Sequence, residues 1–194
     1  MWIEVFLLVS HVTLQHLKVF DANFIEKKEL KISLLVAFED VLSTPPRGPA
    51  VITLGFHNIQ EFQKFEKSFK PLIEGNLQYK NVDYNIPGSS PEIISDLKEI
   101  VSKNDEKVAV VIQGSEKVTG DALLGIHTVA DKDAFPYRNS VLIFSFVDET
   151  FKGKDDRNSC SEELRKYLSN HWNSIPDSQL TPILRRVLVS TACV

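Results

Sequence analysis

Two stretches decide the fold, residues 107–114 (KVAVVIQG) and residues 140–147 (SVLIFSFV). Both are almost wholly apolar and rich in β-branched or aromatic residues, which is typical of a strand that is buried on both faces of a sheet. We therefore expect the segments around Val110 and Ile143 to lie side by side as interior strands, shielded by amphipathic helices.

Three further stretches have strand character. Residues 50–56 (AVITLGF) form a β-rich run, and residues 77–84 alternate in polarity less regularly. In residues 30–38, apolar side chains at every second position would lie on one face of a strand, and Leu35 and Ala37 make the other face apolar as well. This pattern predicts a strand covered on both sides. The alternating set is Leu30, Ile32, Leu34, Val36 and Phe38.

Helical spacing appears between these strands. Asn58 followed by Glu61 predicts a helix start, and an apolar stripe then runs from Ile59 to Phe69, with an end near Pro71 and Gly75. Further helix starts are predicted at Ser90-Pro91, in a capping box over residues 159–162, and at Thr181-Pro182. For residues 121–129 and for residues 2–20, the sequence pattern allows either a helix or strands.

This alternation of strands and helices favours one fold class. We expect an α/β layered domain, with a mostly parallel or mixed central sheet and helices packed on it. Residues 1–42 are expected to supply an N-terminal apolar segment and the first strong strand of that same domain. Residues 50–194 are expected to form the α/β core, which ends in a short C-terminal helix.

Composition excludes some functions and suggests a compartment. The formal net charge of −4 argues against a generally basic nucleic-acid binder. The only cysteines, Cys160 and Cys193, are too few for a dense disulfide scaffold. Free thiols in a reducing compartment are the simpler expectation, with one bridge left possible. We predict an intracellular protein, cytoplasmic or nuclear, without a membrane span, and residues 1–20 as a weak signal peptide are the alternative.

Common catalytic motifs do not match the chain. Residues 114–120 (GSEKVTG) follow a strand, but the spacing of the glycines is wrong for a phosphate-binding loop and Asp121 stands in place of the lysine. Four residues separate Cys160 from Arg165, where a cysteine-phosphatase loop needs five, and two of them are acidic. Dinucleotide-binding, nucleophile-elbow and two-histidine metal motifs do not occur in the sequence.

A candidate site remains at the carboxyl ends of the predicted strands, where ligands bind in open α/β sheets. Carboxylates there would suit Mg²⁺, which prefers oxygen ligands. One interpretation is a Mg²⁺-dependent phosphoryl-transfer or hydrolase domain that uses His57, Glu116 and Asp148. The other interpretation is that acidic residues follow strands because loops are solvated. The strand-end residues are Glu39, Asp40, His57, Asn58, Ser115, Glu116, Asp148 and Glu149.

The favoured hypothesis is a non-catalytic protein-interaction domain, without a cofactor, that acts as a subunit of an intracellular complex. Two terminal segments are unusually apolar, and either could be covered by a protein partner. The C-terminal helix could equally dock onto the chain's own sheet. The residues assigned to the interaction are Trp2, Ile183, Leu184, Val187 and Leu188.

Overall fold

The computed structural model describes residues 20–24, 26–42, 46, 49–74, 76–84, 93–102, 107–120, 122–131, 138–152 and 156–194. The helices are α1 (Lys28–Leu42), α2 (Ile59–Ile73), α3 (Ile93–Ser102), α4 (Ala122–Val129), α5 (Arg157–His171) and α6 (Asp177–Val187). The strands are β1 (Ala50–Phe56), β2 (Gln78–Asp83), β3 (Val108–Gln113), β4 (Ser140–Val147) and β5 (Thr191–Cys193). No helix in these ranges is long and apolar enough to cross a membrane.

The five strands form one parallel sheet in the order β2-β3-β4-β1-β5. The two deciding stretches are neighbours in its interior, with Val110 opposite Leu142 and Val111 opposite Ile143. This arrangement confirms the predicted α/β layered class. It also explains the composition of β3 and β4, since both faces of a parallel sheet are covered by helices.

Helices pack on both faces of the sheet and create two apolar cores. Alternate side chains of each strand point to opposite faces, so Val110 belongs to one core and Val111 to the other. The face carrying Val110 is covered by α3, α4, α5 and α6, and the opposite face by α1 and α2. On the second face, Phe65 and Phe69 of α2 stack with their ring centroids 5.0 Å apart.

The strand predicted over residues 30–38 is wrong, because these residues lie within helix α1. Three residues of the alternating set also lie at helical spacing, and together with Val41 they are buried on one face of the helix: Leu30, Leu34 and Phe38. Two members of the alternating set face outward, with Ile32 38% exposed and Val36 51% exposed. Burial along one helical face therefore outweighs the β propensity of the run.

Helix α2 begins as expected, since the Asn58 side chain accepts a hydrogen bond of 3.0 Å from the Glu61 amide, and it ends at Ile73, between Pro71 and Gly75 as predicted. Two other predicted helix starts need correction. The cap of α5 is Asp156, whose carboxylate accepts from the Ser159 amide at 2.9 Å, rather than the box at 159–162. Helix α6 begins at Asp177, so Pro182 lies inside it. The predicted start at Ser90-Pro91 falls outside the described residues.

The C-terminal residues also differ from expectation. They form β5, an edge strand that pairs with β1 through Thr53 opposite Thr191. The cysteines are not free thiols, because Cys160 and Cys193 are joined by a disulfide with their Cα atoms 5.5 Å apart. The bond links the first turn of α5 to β5. A strand of only three residues is thus fixed both by the sheet and covalently.

Candidate functional site

The topology of the sheet points to its carboxyl edge between β1 and β4. From β1 the chain passes through α2 on one face, whereas from β4 it passes through α5 and α6 on the other face. Neighbouring parallel strands whose connections leave to opposite faces form a crevice at their carboxyl ends, where ligands bind in many α/β proteins. His57 directly follows β1 and Asp148 directly follows β4, so both stand at this crevice.

Phe151 and the disulfide pack against the end of β1 beside this crevice. Phe151 is fully buried, and its ring lies 5.1 Å from the ring of Tyr167, measured between centroids. A Cβ atom at Gly55 would come within 3.1 Å of the Cys193 sulfur and 3.2 Å of the Phe151 ring. Position 55 is therefore a glycine because the disulfide and the aromatic ring press against the end of β1.

A short turn after β4 places Phe151 in this position. The Asp148 carboxylate accepts hydrogen bonds from the amide of Thr150 at 2.8 Å and from its hydroxyl at 2.5 Å. The Phe151 amide then donates to the Asp148 carbonyl at 3.1 Å. Asp148 is thus occupied in shaping the turn, in the manner of an aspartate that bonds to its own following backbone.

His57 stabilises the same loop. Its Nδ1 lies 3.1 Å from the Phe151 carbonyl oxygen, which makes Nδ1–H the donor. Its backbone amide donates to the Glu61 carboxylate at 3.0 Å, and this completes the reciprocal cap of α2. The predicted acid/base histidine is therefore a residue that joins β1, α2 and the loop after β4.

Glu116 lies in the turn after β3. Gly114, at φ 70°, allows the sharp reversal that begins the 3₁₀ turn Ser115–Lys117. Trp172 is fully buried and donates from its indole nitrogen to the Ser115 carbonyl at 3.0 Å, which fixes the turn against α5. One Glu116 oxygen, Oε2, is buried and has no hydrogen-bond partner within the described part of the chain.

Burial raises the pKa of Glu116, and Asp83 raises it further, while the turn backbone, Lys117 and His171 act in the opposite direction. Burial likewise raises the pKa of Tyr167, and the charges of Glu116 and Asp148 add to the shift. Glu116 and Asp148 thus act on one tyrosine, whereas His57 contacts the loop backbone. No three metal-ligand side chains within the described ranges are grouped to hold a metal ion, and the Mg²⁺ site stays a prediction.

Four of the predicted interaction residues lie in the core. Ile183, Leu184, Val187 and Leu188 are at most 8% exposed and pack against the sheet and the neighbouring helices. In this structure they belong to the core, and their assignment to a binding surface stays a prediction. Trp2 lies outside the described residues.

A different feature occupies the opposite, amino-terminal edge of the sheet. A depression of about 270 Å³ lies between α1 and the α6–β5 turn, and its walls are mostly apolar. Val36 and Val189 line it and are 51% and 52% exposed. Asp40 of α1 and Arg186 of α6 also line it. The sequence placed Asp40 at the end of a strand, so the prediction put it at the wrong edge.

Arg186 is held by two partners beside this depression. Its Nη2 donates to the Asp131 carboxylate at 2.7 Å, and its Nη1 donates to Nε2 of His127. His127 is in the last turn of α4, and Asp131 follows that helix. The adjacent pair Arg185-Arg186 is a signal in the sequence that could have pointed to this surface. We refer to the depression lined by Val36, Asp40, Arg186 and Val189 as the amino-edge depression.

Comparisons with known proteins give no family for this chain. No protein-family model matches it, and no curated protein matches its sequence.

Proposed function

We propose that this chain is a non-catalytic protein-interaction domain that acts as a subunit of a protein complex and binds its partner at the amino-edge depression. The observation that carries the proposal is the pair of half-exposed valines, Val36 and Val189, beside an apolar hollow. Apolar side chains grouped around a concave surface mark interaction sites more often than scattered ones do.

The chemistry of the depression defines the kind of partner. Its volume suits one large apolar side chain, and the guanidinium of Arg186 at its wall suits a hydrogen-bond acceptor next to that side chain. We therefore expect a protein partner that inserts an aliphatic or aromatic residue and places a carbonyl or carboxylate oxygen against Arg186.

Substitutions in the depression test the proposal. V36D and V189D each place a charge in the surface that an apolar side chain of the partner would cover. We expect each substitution to weaken the binding free energy by about 1.5–3 kcal/mol, or roughly ten- to hundredfold in affinity. The matched control is I59D, since Ile59 is 45% exposed on α2 and outside the depression. All three substituted residues are exposed, so we expect each variant to fold.

The measurement is native mass spectrometry of the affinity-purified chain. We expect a stoichiometric complex for the wild type and for I59D, and loss of the partner from V36D and V189D. Recovery of the wild type as a lone monomer would contradict the proposal. Equal retention of a partner by V36D and I59D would contradict the assigned surface.

A Mg²⁺-dependent phosphoryl-transfer or hydrolase domain is the alternative. The observation that favours it is the buried Oε2 atom of Glu116, which has no hydrogen-bond partner within the described residues. This alternative predicts that Mg²⁺ raises the melting temperature of the wild type and fails to do so for E116Q and D148N. Strong stabilisation by Mg²⁺ together with a monomeric state would favour the enzyme.

The compartment is part of the proposal. Cytoplasmic or nuclear localisation stays a prediction, and the disulfide between Cys160 and Cys193 weighs against it, since such bonds persist in oxidising compartments. We therefore place the complex in an oxidising compartment. Thiol alkylation in intact cells tests this assignment, because a protein in a reducing compartment would be labelled at both cysteines after denaturation.

A further inference from the structure

The contact between α4 and α6 next to the amino-edge depression depends on the protonation state of one side chain. Arg186 donates from Nη1 to His127 Nε2, and from Nη2 to Asp131 at 2.7 Å. A guanidinium has only donors, so Nε2 accepts this bond only while it carries a lone pair. His127 is therefore neutral in this arrangement, with its proton on Nδ1.

We propose that protonation of His127 releases Arg186 from α4 and thereby weakens partner binding at the amino-edge depression. The proposal rests on the proposed function, and it adds a regulation of the same surface. A proton on Nε2 replaces the acceptor by a second donor and places a positive imidazolium beside a positive guanidinium. The hydrogen bond is lost and repulsion takes its place.

The charges around His127 set the pH range of this change. Burial and the charge of Arg186 lower the pKa of His127, and the charge of Asp131 acts in the opposite direction. Arg186 contacts the imidazole from α6, and Asp131, in the residues after α4, accepts a hydrogen bond from the same guanidinium. Because the net direction is downward from the ordinary value near 6.5, His127 is neutral at pH 7.5 and takes up its proton below about pH 6.5.

The sign of the effect on folding follows from that direction. Since the folded state holds His127 with a lowered pKa, the unfolded chain binds the proton more readily. The stabilisation by this contact is fully present above about pH 6.5 and is lost as the pH falls through the pKa of the folded state. Acidification, through loss of the Arg186 contact, therefore lowers both the stability of the fold and the affinity for the partner.

Release of Arg186 changes the wall of the depression. With two fixed contacts the guanidinium is preorganised, whereas with Asp131 alone it keeps one. A partner then has to immobilise a side chain that was already ordered at pH 7.5. Ordering one long side chain corresponds to about a two- to tenfold loss of affinity. We expect a loss of this size as the pH falls through the lowered pKa of His127.

Arginine side-chain NMR tests the contact without any partner. The guanidinium ¹⁵N resonance of Arg186 is assigned by its absence in R186K and followed from pH 7.5 to pH 5.0. We expect restricted rotation at pH 7.5 and faster rotation once His127 is protonated, when the contact to Asp131 remains and the contact to His127 is lost. H127Q is the matched control, because its amide oxygen still accepts from Arg186 and does not titrate, so its resonance stays restricted throughout.

The outcomes separate this inference from the proposed function. A wild-type Arg186 resonance that does not change with pH, or one that changes equally in H127Q, overturns the inference, even if binding requires Val36. If the resonance titrates as expected but V36D retains the partner, the proposed function fails and the link to docking fails with it. Partner retention that falls at pH 5.0 in the wild type and not in H127Q supports both.

Discussion

Removal of the disulfide between Cys160 and Cys193 tests how the C-terminal strand is held in the sheet. Both cysteines are almost fully buried, and the bond connects the first turn of α5 with β5 at the edge of the sheet. Strand β5 has only three residues and pairs with β1 alone. We predict that a C160A/C193A variant folds but is markedly less stable than the wild type.

The magnitude follows from the size of the loop that the bond closes. The two cysteines are 33 residues apart in the sequence. In the chain-entropy treatment, a closed loop of about this length lowers the entropy of the unfolded chain by about 12.5 cal/mol/K. At 25 °C this corresponds to about 3.7 kcal/mol in the free energy of unfolding. For a chain of this size, the melting temperature would fall by about 7–15 °C.

Urea unfolding with and without a reductant measures the effect. The wild type in reductant and the C160A/C193A variant are both expected to lose about 3–4 kcal/mol. The variant itself should not respond to reductant, which separates loss of the bond from other effects of the reagent. Far-UV circular dichroism at low urea confirms that both forms remain folded.

A clear result would refute this reasoning. If the variant loses less than about 1 kcal/mol, the unfolded chain is not restricted by the bond, and β5 is held by its pairing with β1 and its apolar contacts. A loss far above about 5 kcal/mol would mean that the bond also maintains native packing around Gly55 and Phe151. Thermal unfolding of the oxidised and reduced wild type in parallel distinguishes the two cases.

Three further predictions concern single substitutions, each measured by urea or thermal unfolding. G55A should lose about 1–3 kcal/mol, because its Cβ would press on the disulfide and on Phe151, and a loss below about 0.5 kcal/mol would contradict the close packing there. T53V should lose about 1–3 kcal/mol, because the buried Val187 carbonyl loses its 2.6 Å bond from the threonine hydroxyl, whereas T53S should lose less. E116Q should be more stable than the wild type at pH 7.5 and equal to it at pH 4. The pKa of Glu116 is raised, so the folded state favours the protonated carboxyl and the wild type loses stability as the pH rises. Equal melting temperatures of E116Q and the wild type at both pH values would refute this.

The central strands could be predicted because their sequence and their environment agree. A strand covered by helices on both faces needs apolar, β-branched residues without a polar alternation, and β3 and β4 have this composition. The stripe on α2 is equally informative, since Phe62, Phe65 and Phe69 recur at helical spacing and are all buried. Local pattern and tertiary burial point to the same structure in these elements.

The sequence pattern did not predict the structure correctly where tertiary contacts determine the secondary structure. In α1 an apolar run satisfies both a strand period and a helix period, and only packing on the sheet selects the helix. Strand β5 has three residues, too few for any periodic pattern, and it is defined by pairing with β1 and by the bond to Cys160. Spacing between two cysteines carries no information about their distance in space, so the disulfide was equally hidden.

In the candidate site as well, the positions of residues along the chain could be predicted, whereas their tertiary contacts could not. His57 and Asp148 were predicted at strand ends, and both lie there, but their side chains are occupied by the loop that carries Phe151. Which strands are neighbours, and which connections leave to opposite faces, follows only from the sheet order. The amino-edge depression was missed because it joins α1 to the turn after α6, two elements far apart in the sequence.

The two edges of the sheet lead to one functional argument. At the carboxyl edge, Phe151 and the disulfide pack against Gly55 on the sheet face that carries Val110. The end of α6 is held to β1, because the Thr53 hydroxyl donates to the Val187 carbonyl at 2.6 Å and the Thr53 amide donates to the Ser190 carbonyl at 2.8 Å. These bonds fix the chain on both sides of Val189 beside the depression, which is the surface where we propose the interaction.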